Sequence, residues 1–210
     1  MKKIDSDVKE KILQESIKLF LEKGFSGSST NELVQLAGVS KGTLYWHFKS
    51  KNDILSNILD KYCAEFLEVA KSITNNCNGT FENKFRSFYR FSSEFARDNR
   101  ELLLVFMALL IEFAGTGSDI EKRMKEINNN YTLIIQKLIE DGIQDGAVRK
   151  DIDPVIYARL VASTLMGSHL QWFLHLSSYK DDPVYNKKHA IAQRDELMKM
   201  LLLDNPKTMS

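Results

Sequence analysis

Cysteine and proline are scarce in this chain, and each scarcity excludes something. Of 210 residues only two are cysteine, Cys63 and Cys77, and they lack CxxC spacing. They cannot supply a disulfide framework or a thiolate cluster, and both read as free thiols in a reducing compartment. Prolines occur only at 154, 183 and 206, so most of the chain has no fixed helix breaker. Long apolar runs are missing as well. The longest, residues 102–111, is too short to cross a bilayer. The N-terminus has lysines but no apolar h-region, so no signal peptide is expected, and the reading is a cytoplasmic protein with no membrane partner. Nor is there an excess of charge of one sign, the formal net charge being +1.

What is present is ordinary in bulk: 43% hydrophobic and 27% charged residues exclude disorder without choosing a function. The distribution of charge is more informative. Residues 1–52 hold nine lysines against six acids, a net of +3, which leaves −2 for the rest of a chain of +1. Residues 39–51 hold three lysines and no acid. Contact with a polyanion therefore belongs to the N-terminal quarter.

Apolar spacing is helical nearly throughout, with no convincing strand, repeat or low-complexity segment, which predicts an all-α fold of about nine helices. A first helix over 7–23 is ended by Gly24. Ser29 and Glu32 fit a capping box opening a short helix to Ala37, and Gly38 supplies a left-handed turn. Ser40 caps a third helix over 41–48, and Ser50 with Asp53 opens a fourth that runs to about 72. After a loop at 75–80, helices are expected over 81–97, 100–114, 120–146 and 154–176. Asp153 as cap and Pro154 at the first position open the last of these. A loop at 177–186 precedes a closing helix at 187–203. This divides into a small basic head, 1–52, and an aromatic-rich body, 53–210.

In the head, two short helices joined at a glycine form a helix-turn-helix. Leu33, Leu36, Val39, Leu44 and Phe48 can close a small core with the first helix. Lys41, Thr43, Tyr45, Trp46 and His47 are then left pointing outward. Two aromatics and a histidine on the outside of a short helix are costly unless a partner covers them, and base edges, sugars and phosphates would do so. An enzyme is the rival class. His169 and His175 are six residues apart, about 240° around a helix, so one face cannot direct both at a metal. There is no HExxH, no Gly-rich phosphate loop and no GxSxG. No catalytic residue, metal or cofactor is expected. A third class is an architectural DNA-binding protein whose body has no cavity.

The string Ala37-Gly38-Val39-Ser40-Lys41-Gly42-Thr43-Leu44-Tyr45-Trp46-His47-Phe48-Lys49-Ser50-Lys51 resembles the signature of the TetR/AcrR family of bacterial transcriptional regulators. Gly24-Phe25 and Thr30 fit the same pattern, and the likeness covers roughly residues 7–60. Val34 stands where many relatives have alanine, a departure that concerns packing. The resemblance implies phosphate contacts by Thr30, Tyr45, His47 and Lys51. It implies base or groove contacts near Val39, Ser40, Lys41, Gly42, Thr43 and Trp46. It further implies a repressor that binds a palindromic DNA operator as a homodimer and is released by a small effector held among the body helices.

The body itself carries no motif. Its aromatics at helical spacing are mostly core, and collectively they can also line an apolar cavity. Phe91, Phe106, Tyr131, Met166, His169 and Trp172 are the expected lining, and Glu112, Gln136 and Gln171 are further polar candidates. The expected effector is a mostly hydrophobic organic molecule, aromatic or acyl, with one or two polar groups. For the dimer interface, Ala158, Ala162, Ser163 and Gly167 offer close helix approach, and Leu197, Met198, Leu201 and Leu202 an apolar face on the last helix.

Overall fold

A computed structural model of the chain describes residues 2–76, 79–174 and 187–202. Cys77, His175 and the loop expected at 177–186 lie outside the described residues. The described elements are α1 (Lys2–Gly27), α2 (Thr30–Ala37), α3 (Lys41–His47), α4 (Lys51–Tyr62), a π-helical turn (Cys63–Leu67) and α5 (Glu68–Asn76). They continue with α6 (Phe81–Asp98), α7 (Arg100–Glu112), α8 (Asp119–Gln144), α9 (Pro154–Leu174) and α10 (Lys187–Leu201). Since α4, the π turn and α5 form one continuous rod, the described residues make nine helical rods, and the fold is all-α as the spacing predicts. The one departure from helices and loops among them is an isolated bridge between Val148 and Leu202.

The expected helix starts form as their cap chemistry requires. The Ser29 hydroxyl accepts from the Glu32 amide while the Glu32 carboxylate accepts from the Ser29 amide. The Ser50 hydroxyl accepts from the Asp53 amide at 3.1 Å. The Asp153 carboxylate accepts from the amides of Val155 and Ile156 at 2.8 and 3.3 Å, with Pro154 in the first turn, where its missing N–H costs nothing. Gly24, at φ 73°, breaks the helical path inside α1 where an L-side chain would be strained.

Packing divides the chain into two compact units. The first takes residues 1–65 and 99–126, the second 66–98 and 127–210. This differs from the head-and-body boundary expected at 52, because α7 packs extensively along α1 and also meets α4. Within the first unit, Ile12, Ile17, Leu19 and Phe20 of α1, Leu33 and Ala37 of α2, and Ile54, Leu55 and Ile58 of α4 are buried. Tyr62 stacks on Phe106 with ring centroids 4.1 Å apart. Leu36 departs from the expected head core. A two-turn helix buries one narrow stripe, here Leu33 and Ala37, and Leu36 is left exposed.

The α7–α8 connection in the same unit is latched by Glu121, which is buried. Its carboxylate accepts from Lys125 at 2.7 Å and from the amides of Gly115 and Gly117 at 2.9 and 2.6 Å. The Lys125 ammonium first, then these two amides, hold its pKa at about 2 against the ordinary 4.5. A depressed carboxylate contributes stability above the unfolded pKa and loses it as pH falls through the folded one. The stability difference between wild type and Glu121→Gln should therefore be constant above about pH 4.5 and shrink towards pH 2. Denaturant titration at a series of pH values measures this, and a difference that already fades between pH 7 and 5 would contradict the latch.

In the second unit α6 packs against α5, α9 and α10. Tyr89 is fastened to α10 by donating to Gln193 at 2.6 Å, and burial pushes its hydroxyl up to about 12. Arg86 of α6 reaches Asp195 of α10 at 3.3 Å. The bridge at Val148 and the bond from the Arg149 amide to the Leu201 carbonyl at 3.1 Å tie the end of α10 to the α8–α9 connection.

Candidate nucleic-acid interface and ligand-binding body

The sharp reversal between α2 and α3 is built by Gly38 in the left-handed conformation, φ 62°. Its amide donates to the Gln35 carbonyl and the Val39 amide to the Val34 carbonyl, closing the end of α2. Ser40 then caps α3 by accepting from the Thr43 amide at 3.0 Å, and its hydroxyl also meets that of Thr43 at 2.8 Å. Leu44 and Phe48 point into the core. With those two residues inward, a 3.6-residue period turns the intervening residues out. Trp46 is 80% exposed and Tyr45 51% exposed. Lys41 and Gly42 are exposed, while Val39, Thr43 and His47 are half-buried.

Two of the expected phosphate contacts come together across the motif, the Thr30 hydroxyl at the start of α2 lying 3.5 Å from the Tyr45 hydroxyl on α3. Lys51 is placed differently from the expectation. Its ammonium donates to the carbonyls of Phe25 and Ser28 at 2.7 and 2.8 Å and sits 4.4 Å from the centre of the Phe25 ring. Much of its hydrogen-bonding capacity is thus used inside the head. The arrangement is a scaffolded reading helix with an acid-free, aromatic outer face, suited to entering a DNA groove.

Residues 12–58 match the family model described as "Bacterial regulatory proteins, tetR family". The chain belongs to the TetR/AcrR family. Among its relatives are the fatty acid metabolism regulator protein of Bacillus subtilis strain 168, 21% identical over 80% of this chain and 84% of that one. The HTH-type transcriptional regulator QacR of Staphylococcus aureus strain Mu50 is 28% identical over 67% of this chain and 73% of its own. Among solved structures, that of the MbdR regulator from Azoarcus sp. CIB has the same fold, with a TM-score of 0.79. It is 23% identical, covering 93% of this chain and all of that one. The chain is accordingly a TetR-family transcriptional regulator with a DNA-binding helix-turn-helix.

In TetR-family terms the second unit holds most of the candidate effector lining. Phe66 gathers Phe91, Phe95 and Tyr131 around it, with ring centroids at 5.7, 4.8 and 5.4 Å, and Phe88 lies 6.1 Å from Tyr131. Burial raises the Tyr131 hydroxyl above the usual tyrosine range. The adjacent Ser92 hydroxyl is fully buried without a hydrogen-bond partner of normal geometry, and its weak interaction with Tyr131 offsets burial only in part. Burial also holds His169 down to about 4, so the ring is neutral near pH 7. Trp172 packs on Phe173 at 5.3 Å. Met166 lines an open groove of about 590 Å³ between α8 and α9, with Asn128, Thr132, Gln136, Arg159 and Ser163. Phe106 belongs to the first unit, where it stacks on Tyr62. Glu112 is also in the first unit, bonded to the α1–α2 link.

The expected dimer residues need correction. Ala158 and Leu201 are 0% exposed and Leu197 is 7% exposed within a single chain, so these three are core. α10 turns its apolar stripe towards its own unit, because a chain this size needs that area for its own core. Gly167 is exposed and Ala162 half-buried. Around them α9 presents an outward seam that the small-residue pattern did not reveal: Ile156, Leu160, Ser163, Gly167, Leu170 and Leu174. Their spacing of four, three, four, three and four is that of a coiled-coil contact line.

Proposed function

We propose that the protein is a ligand-responsive repressor that binds a palindromic operator as a homodimer and is released by a small hydrophobic effector. The observation that carries the DNA half of this reading is the outer face of α3, where Trp46 stands 80% exposed in a stretch without acids. Thr43 and Trp46 are positioned to read base edges. Tyr45, Thr30 and His47 are positioned for the backbone, with Lys41 at the helix start. Selecting duplexes from a randomised pool with the purified protein tests this directly. Trp46→Ala should weaken binding to the selected duplex about tenfold and relax preference at the bases beneath it, with little change on a random duplex. Failure to enrich any saturable, salt-sensitive sequence would sink the proposal.

The dimer half rests on the α9 seam. Four exposed large apolar residues flanking Ser163 and Gly167 allow two copies of α9 to approach closely along a two-fold axis. A two-fold dimer reads two half-sites about 34–36 Å apart, or a multiple of that spacing.

The effector half rests on the aromatic group around Phe66, with Tyr131 and the unsatisfied Ser92 hydroxyl as a polar handle, and on Met166, neutral His169 and Trp172. A buried hydroxyl without a well-formed hydrogen bond costs stability unless something binds it, and a mostly apolar molecule with one polar group fits that demand. The name of the Bacillus subtilis relative refers to fatty acid metabolism, which favours an acyl effector over an aromatic one. The α4–α5 rod and α8 each run as continuous helices across the boundary at which packing divides the chain. Effector binding that shifts either helix would alter the separation of the two heads. A hundredfold release requires about 2.7 kcal/mol of differential affinity between the two states.

A further inference from the structure

We propose that Glu112 is a positioning residue for DNA recognition: its carboxylate fixes the pose of the helix-turn-helix by occupying an amide nest in the α1–α2 link. This inference rests on the operator-binding reading above and adds a residue far from the reading helix.

The nest follows from Gly24. Its left-handed conformation turns the chain so that two successive amides, of Phe25 and Ser26, face one acceptor. The Phe25 amide donates to one Glu112 carboxylate oxygen at 2.8 Å. The Ser26 amide and hydroxyl both donate to the other at 2.7 Å. Three donors from the two residues that follow Gly24 thus converge on one carboxylate at the end of α7, 86 residues from Ser26. A Cβ at position 24 would lie 3.4 Å from the same carboxylate. Burial alone would raise the pKa of Glu112. The Ser26 hydroxyl, the two amides and the nearby Lys51 ammonium outweigh that and keep it below the usual value.

The opposite side of the link is held as well. Lys51 takes the Phe25 and Ser28 carbonyls, so residue 25 is gripped at its N–H by a carboxylate and at its C=O by an ammonium. Phe113, next after Glu112, adds a ring contact to Phe25 at 5.5 Å. The link leads straight into the Ser29 capping box, hence into α2, and through the Gly38 turn into α3. Any displacement of the end of α7 is therefore delivered to the reading helix by short, charge-assisted bonds.

Exposure separates positioning from simple stabilisation. Ser26 is exposed and Glu112 half-buried. Water can satisfy these groups when the bonds break, so losing them costs little folding energy but frees the angle of the head.

The test uses the full-length protein, a duplex selected by wild type from a randomised pool, and a random duplex of equal length. Glu112→Gln keeps the shape but replaces one accepting oxygen with an NH2 that cannot accept. It should weaken binding to the selected duplex about tenfold while leaving random-duplex affinity and melting temperature near wild type. It should also blunt the penalty for changing half-site spacing by one base pair. Ser26→Ala, which removes one donor of three, should act in the same direction more weakly, and it carries the test if Glu112→Gln melts early. Equal losses on both duplexes, or wild-type affinity and spacing preference in the variants, would overturn the inference while leaving the operator reading intact. Absence of saturable selection by wild type would overturn both.

Discussion

Leu160→Asp combined with Leu170→Asp should leave the protein monomeric at micromolar concentration and weaken binding to its selected duplex about a hundredfold. Both leucines are exposed on the outer face of α9, the second and fifth residues of the contact line that holds Gly167. A two-fold axis along that line places four new carboxylates in one apolar interface. The seam residues themselves include no lysine or arginine, and unpaired buried charge costs several kcal/mol each. Because both positions face outward, the isolated fold should melt as wild type does. Light scattering reads the assembly and fluorescence anisotropy the DNA affinity. A variant that remains dimeric would show that copies of this chain meet elsewhere.

Leu201→Ala should produce the complementary result: a loss of about 2–5 kcal/mol in folding stability, with no selective effect on assembly. Leu201 is fully buried in its own chain, its carbonyl accepts from the Arg149 amide, and the adjacent Leu202 bridges to Val148. Truncation there leaves a cavity between the end of α10 and the α8–α9 connection, where bridge and backbone bond restrict collapse. Chemical denaturation measures the effect. A variant as stable as wild type but monomeric would return Leu201 to the interface and contradict the packing described above.

The pair of experiments separates two apolar surfaces that sequence periodicity alone treats alike. Leu197, Leu201 and Leu160 all sit at helical spacing beside small or apolar neighbours, and nothing in their type tells which side faces inward. The α9 seam was legible as a run of four-three spacing, but Ala158 and Ala162 obscured it by offering a second small-residue stripe on the same helix. The head was more readable. The capping box at Ser29, the Gly38 reversal and the Ser40 cap are local chemistry, satisfied by residues within five positions of each other, and they form as their residue types dictate. Leu36 was misplaced because a helix of eight residues has too few turns to bury every apolar side chain it carries.

The sequence by itself determined the helical class, the capped starts of α2, α3, α4 and α9 and the exposed side chains of Lys41, Tyr45 and Trp46, because caps and periodicity act over one or two turns. Only the tertiary structure decided what lies across long separations. It placed the Glu112 carboxylate in the nest after Gly24 and turned the Lys51 ammonium onto two backbone carbonyls. It gathered Phe91 and Tyr131 around Phe66, stacked Phe106 on Tyr62, and left one stripe of α9 bare. These placements depend on which helix packs against which, and a single chain's periodicity records only that a face is apolar, never what covers it.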